Sequence, residues 1–466
     1  MTDGRHESDA SSATGTPSRD GGARGRESEL ERTLGLVPAL ALGTGTMVGA
    51  GIFVFPGLAA GRAGPAAMLS FAIGAVVALL VALPTSELAT AMPESGGGYF
   101  FVSRALGPLL GTVVGLGQWL GLVFASAFYL MGFGHYLSDL LRELGVEVPL
   151  SVAGLALGMA LLLTGVSITG TENTGDLQNW IVGGLLAILG GFLGHGGLDV
   201  LGVFGRTQVP EAFFPYGVFP VFTTAALVFT SYLGFVQIAT VAGEIKAPAR
   251  NLPRALIGSV VIVGTLYVLT IFIGTSLLGS ARLAELGETA VVSVGRSVAG
   301  TFGAAALLGG GLLATLSSAN ASILRASRSI YALSRDDLVP RRVERINRRY
   351  RTPHVALLLA GGPIAGLILF GRVEVLAEVA SLLHLFMYAL ICVALLVLRR
   401  TNPDGYEPAF RCPGHPVVPL LGAGASVGLV AFMSPLSIGL GGGILLAAAG
   451  WYFYYARTVT IAEISS

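Results

Sequence analysis

From residue 34 onward the sequence is a near-continuous series of apolar runs, each close to the length that a helix needs to cross a bilayer. The hydrocarbon core is about 30 Å thick, so a helix must supply about 20 predominantly apolar residues to span it. Runs of this length are predicted at 35–60, 65–91, 109–138, 149–167, 177–195, 219–243, 254–279, 302–332, 354–371, 374–398, 416–433 and 436–456. Composition agrees. Of 466 residues 53% are apolar and 12% charged, whereas a soluble chain carries about 25% charged residues. The 67 glycines suit membrane helices, where small residues allow close backbone approach. An all-α polytopic protein of twelve transmembrane helices is expected.

The few charges are placed unevenly. Arg325, Arg328, Arg335, Arg341, Arg342, Arg345, Arg348, Arg349 and Arg351 are read between the eighth and ninth spans. Lys246, Arg250 and Arg254 follow the sixth span, and Arg399, Arg400 and Arg411 the tenth, while the alternate loops are poorer in basic residues. Basic loops stay on the cytoplasmic side, so both termini are expected in the cytoplasm and the chain in the plasma membrane. Residues 1–32 are rich in Ser, Gly, Asp and Arg and are expected to form a disordered cytoplasmic tail without the apolar stretch of a signal peptide. A transporter domain is expected at 33–456 and a short cytoplasmic tail at 457–466. A net charge of +1 gives no reason to expect nucleic acid, and Cys392 and Cys412 are not expected to pair.

Two spans carry interruptions. The first contains Gly43-Thr44-Gly45-Thr46-Met47-Val48-Gly49-Ala50-Gly51-Ile52-Phe53, followed by Pro56-Gly57, and the sixth contains Thr230-Ser231-Tyr232-Leu233-Gly234-Phe235. Glycine allows non-helical dihedrals and proline removes a backbone donor. Unwound backbone at membrane depth is tolerated only where it is buried or lines a cavity. Breaks in the first helix of each successive set of five point to an inverted-repeat transporter with its site at mid-membrane. Free N–H groups and the positive end of a half-helix attract a carboxylate, and opposing carbonyls accept from an ammonium. A zwitterion satisfies both.

Gly49-Ala50-Gly51-Ile52-Phe53 resembles the GSGIF-type signature of the amino acid–polyamine–organocation (APC) superfamily. The run from Ser231 through Ala255 is similar to that family's sixth helix and following loop. Pro93-Glu94-Ser95-Gly96-Gly97-Gly98-Tyr99 is similar to its loop after the second helix, and Ser327-Arg328 through Ser334-Arg335-Asp336-Asp337 to a later motif in which Asp337 replaces a usual Gly. The resemblance covers about residues 34–456. It implies a LeuT-type fold: a 5+5 inverted repeat, about 34–196 and 215–400, with broken helices 1 and 6 and two peripheral helices at 415–456.

Carried over residue by residue, the resemblance implies that the substrate carboxylate meets the N–H groups of Gly49, Ala50 and Gly51. The ammonium would meet carbonyls near Val48, Phe229, Thr230 and Leu233, with hydroxyls of Thr46, Thr230 and Ser231 adding contacts. The centres of spans 1, 3, 6 and 8 are read as free of Asp, Glu, Lys and Arg, which favours neutral amino acids over dicarboxylates or dications. For coupling, the lysine that proton-coupled members place near Leu185 is absent, Lys246 being the sole lysine. Ala314-Thr315-Leu316-Ser317-Ser318 matches the arrangement by which sodium-coupled relatives bind the ion, implying a sodium site at Gly45, Val48, Ala314, Ser317 and Ser318, with proton coupling as the alternative. No other cofactor is expected. The expected function is secondary transport of amino acids by alternating access. A polyamine or cationic amino acid exchanger, or a non-transporting sensor on the same scaffold, is the other reading. No HExxH, GxSxG or Walker motif suggests an enzyme.

Overall fold

A lipid-embedded helix satisfies its own backbone, and breaks are confined to where another group takes over each orphaned donor or acceptor. The computed structural model describes residues 34–92, 97–146, 149–169, 174–203, 212–347, 349–403, 406–457 and 459. The expected tail at 1–32, residues Pro93–Gly96 of the loop motif, Arg348 and nearly all of 457–466 lie outside them. The elements are α1 (Leu36–Met47), α2 (Ala50–Ala63), α3 (Ala67–Ala91), α4 (Gly97–Leu106), α5 (Pro108–Glu143), α6 (Val152–Thr169), α7 (Thr174–Val200) and α8 (Phe219–Val228). They continue with α9 (Gln237–Thr240), α10 (Pro248–Leu278), α11 (Ser280–Leu286), α12 (Ala290–Arg335), α13 (His354–Phe370), α14 (Val373–Thr401), α15 (Val417–Val430) and α16 (Pro435–Trp451). The protein is all-α and polytopic. Among the described residues nine stretches are long and apolar enough to cross a membrane, and α1, α13 and α15 are shorter apolar helices.

The first expected span is α1 plus α2, and the sixth is α8, a 3₁₀ turn at Phe229–Tyr232 and α9. α12 packs along α5 and α2, α10 along α3 and α1, and α14 along α5 and α15, so the two interrupted helices lie inside a ring of long ones. Two further helices, α4 and α11, are too short to cross a bilayer. α4 buries Tyr99, Phe101 and Val102. α11 ends at Gly287, whose φ of +62° suits only glycine.

One placement is corrected. Arg325, Arg328 and Arg335, read as loop residues, lie in α12. α12 kinks at Ala299–Gly300, where Gly300 has a φ of +62°, but nothing between Ala326 and Ser334 breaks it, and the chain next turns at Asp336–Asp337. Asp337 takes a φ of +57°, the left-handed conformation for which the related motif carries glycine. Its carboxylate accepts from Arg341 Nε at 2.6 Å and Nη2 at 2.8 Å, which holds its pKa below the usual carboxylate range. Next to it, Asp336 accepts from the Tyr99 hydroxyl at 2.6 Å. Two motifs far apart in sequence therefore meet.

Buried charge is paired at the ends of α14. Glu87, fully buried at the end of α3, accepts from Arg399 Nε at 2.7 Å, from Tyr406 Oη at 3.0 Å and from the Cys412 N–H at 2.6 Å. Burial and the Glu87 charge push the Cys412 thiol up to about 11. Cys392 and Cys412 are both free. At the other end of α14, Arg62 lies 3.8 Å from both Glu374 and Glu378, and Glu378 also accepts from the Ser434 hydroxyl at 2.6 Å. Glu87 and Glu378 thus act as structural pairs.

Candidate functional site

The break between α1 and α2 is two residues long. Val48 leaves the helix with ψ 81° and Gly49 follows with φ −133° and ψ −143°. The Val48 N–H still reaches Thr44 O at 2.7 Å, and the Gly49 N–H turns back to Met47 O at 2.8 Å. Beyond it, Ala50, Gly51 and Ile52 open α2, and first-turn N–H groups have no carbonyl of their own helix to meet. No side chain caps that end. On the other side of the break the last carbonyls of α1 lose their usual donors. The arrangement offers donors at one edge and acceptors at the other.

The second break is tighter and more heavily propped. The Thr230 hydroxyl lies 2.7 Å from Ala377 O and 2.6 Å from Ser381 Oγ, both on α14. Tyr388 on α14 donates to Leu233 O at 3.1 Å, and the Tyr232 hydroxyl to Phe71 O of α3 at 2.8 Å. Ser231 Oγ, in a residue only 5% exposed, has no partner in hydrogen-bonding geometry. The Tyr267 hydroxyl beside it is directed to Met47 O at 2.6 Å and lies 3.2 Å from Ser231 O.

The two breaks touch. Thr46 Oγ1 donates between Gly43 O and Gly234 O, each at 3.0 Å. Gly234 is required there, because a Cβ on it would stand 2.7 Å from the Thr46 carbonyl. A Cβ on Gly51 would stand 2.2 Å from Ser231 Oγ. The unpartnered hydroxyl therefore faces the open first turn of α2.

Access is one-sided. Ile52, Phe53, Val54 and Phe55 are at most 1% exposed. The Tyr136 hydroxyl donates to Phe53 O at 2.8 Å, with its ring against Gly311, where a Cβ would clash at 2.1 Å. Along the face of α12 that meets the break, Ala314 is buried, Ser318, Ala321 and Arg325 are partly exposed and Arg328 is exposed. Gly45 and Thr46 are also partly exposed. Exposure along this face therefore rises toward the C-terminal end of α12.

Of the residues singled out in the sequence, Thr46, Val48, Gly49, Ala50, Gly51, Thr230, Ser231 and Leu233 line the two breaks. The Phe229 ring is fully buried against Tyr232 and Tyr388. Of the ion-site residues, Ser318 abuts Gly49, where a Cβ would stand 2.1 Å from Ser318 Oγ, and Ala314 lies one turn earlier on α12. A Cβ on Gly45 would meet Val182 of α7 at 2.7 Å, so its bare Cα lets α7 approach. Sequence reading missed Tyr136, Tyr267 and Tyr388. A tyrosine within a span was their signal, since a buried hydroxyl needs a partner and broken helices expose carbonyls. Ser231→Ala is expected to leave thermal stability unchanged or slightly higher while weakening substrate affinity about tenfold, the worth of one hydrogen bond. Unchanged affinity in a binding titration would show that the hydroxyl is not used.

Apolar helices, two of them interrupted with backbone groups facing each other and accessible from one side, define a multi-pass membrane transporter. The chain belongs to the amino acid permease family, whose model matches residues 34–461. It is similar to the branched-chain amino acid permease BcaP of Bacillus subtilis, 31% identical over 84% of this chain and 86% of that one. It is also similar to two other proteins of that organism. One is a methylthioribose transporter, 28% identical over 86% of this chain and 88% of that one. The other is the serine/threonine exchanger SteT, 25% identical over 91% and 97%.

Proposed function

We propose that this amino acid transporter carries neutral amino acids across the plasma membrane by alternating access. The observation that carries the reading is the unpartnered Ser231 hydroxyl aimed at Gly51, where the first turn of α2 leaves its N–H groups free. A carboxylate set there accepts from both, and the ammonium turns to the carbonyls freed at the end of α1. No charged side chain stands in either break, so backbone polarity selects the zwitterion and the side chain is read by apolar contact alone. Two of the similar proteins are named for branched-chain amino acids and for serine and threonine, all with uncharged side chains.

The twelve-span reading takes α1/α2 through α7 as one repeat, α8/α9 through α14 as its inverted counterpart, and α15 and α16 as peripheral. Both termini and the end of α12 are cytoplasmic by the placement of basic residues, so the more exposed side of the breaks is the inner one. For the coupling ion we propose sodium between Ser317, Ser318 and the carbonyls of Gly45 and Val48, a set of oxygens that suits a hard monovalent cation. The test is reconstitution in liposomes with labelled leucine, serine, glutamate and arginine, imposing sodium and proton gradients separately. Leucine or serine is expected to accumulate with the sodium gradient. Absence of accumulation and counterflow for all four sinks the substrate assignment, and accumulation driven by protons alone sinks the sodium assignment.

A further inference from the structure

A charged side chain within a membrane helix is costly and is as a rule paired or functional. Arg325 stands ten residues before the end of α12 at Arg335, far enough in to lie at membrane depth. Among the described residues no carboxylate comes within ion-pairing distance of it. Its Nε donates to Ala321 O at 3.2 Å and its Nη2 to Ser322 Oγ at 2.9 Å, both on its own helix. A guanidinium carries five donors, so most of its fork remains for something else. The titratable groups of other helices that act on it electrostatically are Tyr129 of α5 and Tyr388 and His384 of α14, and none of them is a carboxylate.

Its position relative to the breaks is fixed by helix geometry. Ser318, which abuts Gly49, is seven residues earlier on α12, so the two share a face and stand about 10 Å apart along the axis. On α14 the same spacing separates Ser381, which holds Thr230, from Tyr388. Arg325 therefore lies directly beyond the breaks, on their more exposed side, between two helices that also build the site.

We propose that Arg325 is a second carboxylate station, binding the substrate's own carboxylate on its way between the breaks and the cytoplasm. The inference rests on the transport reading above. A planar carboxylate fits the guanidinium fork bidentately, and Arg325 is itself partly exposed, with the exposed Arg328 one turn further out. Tyr388, whose hydroxyl donates to Leu233 O of the second break, is also one of the groups that act electrostatically on Arg325. A cationic substrate meets a like charge on this path and is disfavoured.

The test compares the two faces of the membrane. Leucine uptake into cells reads the outer face, and uptake into inverted membrane vesicles reads the inner face. Arg325→Gln is expected to raise the inner-face KM tenfold or more while the outer-face KM changes less than twofold. Arg325→Lys keeps the charge without the fork and should fall between, which also serves if the Gln variant does not fold. Equal KM changes on both faces, an effect confined to the outer face, or no change overturns the station. Replacing chloride by isethionate separates a substrate station from an inorganic-anion site: the wild-type inner-face KM is expected to stay constant, and a shift that reproduces the Gln variant overturns the proposal. If the wild-type protein moves none of the amino acids tested, the transport reading itself fails and this inference falls with it.

Discussion

Gly51→Ala is expected to cut the initial rate of amino acid uptake about a hundredfold, the order of loss that follows when reacting or binding groups are displaced by an ångström. A methyl on Gly51 would stand 2.2 Å from Ser231 Oγ, 2.7 Å from Ser231 Cβ and 3.1 Å from its Cα. Moving the hydroxyl alone does not relieve that overlap, so the two breaks have to part. Parting them lengthens the Thr46–Gly234 hydrogen bond and withdraws the carbonyls from the α2 N-terminus. The companion Gly51→Ala/Ser231→Gly removes the obstructing atoms and is expected to recover part of the rate. Uptake in reconstituted vesicles, normalised to folded protein, decides it. A near-wild-type rate for the single variant would mean that the breaks do not need to touch.

The largest effect on stability is expected at Glu87. Removing one partner of a buried ion pair typically costs about 3–5 kcal/mol, because the other charge is left without compensation. Arg399 keeps 21% of its side-chain surface exposed, so water takes up part of the loss and the lower end, about 3 kcal/mol, applies. Glu87→Ala also strands the Tyr406 hydroxyl and the Cys412 N–H. A thermal melt of detergent-purified protein should fall by roughly 5 °C or more, and Glu87→Gln, which keeps an acceptor, should fall less. Glu87→Ala/Arg399→Ala should recover part of the loss by removing the stranded charge. An unchanged melting temperature would show that the junction is not coupled to unfolding.

Much of the architecture was legible in the sequence because the bilayer sets one length for every crossing. Span 2, expected at 65–91, is α3 at Ala67–Ala91, and span 9, expected at 354–371, is α13 at His354–Phe370. Gly49 and Gly51 marked the first break because only a residue without a side chain lets Ser318 and Ser231 come so close. What the sequence withheld was direction. Arg325 reads as one more basic residue near a helix end, and nothing local says that it turns toward Tyr129 and Tyr388. The three tyrosines that prop the breaks belong to α5, α10 and α14, and their role depends on which carbonyls are orphaned on other helices. Tertiary pairing of that kind has no periodicity to betray it. Thr46 kept a bond within its own helix, as an isolated helical threonine does, and only the fold adds the second, to Gly234 O.

The two charged junctions at the ends of α14 carry a mechanical consequence. Arg62, in the last turn of α2, holds the start of α14 through Glu374 and Glu378, and Glu87, at the far end of α3, grips Arg399. The α2–α3 hairpin and α14 are thus fastened to each other top and bottom, like a rod bolted at both ends to a post. Such a rod rocks with its post, but it does not slide along it. Any axial slip in a transport cycle is therefore left to helices without these bolts, and α5 and α12, which pack against each other, form the counterpart that the post must tilt against.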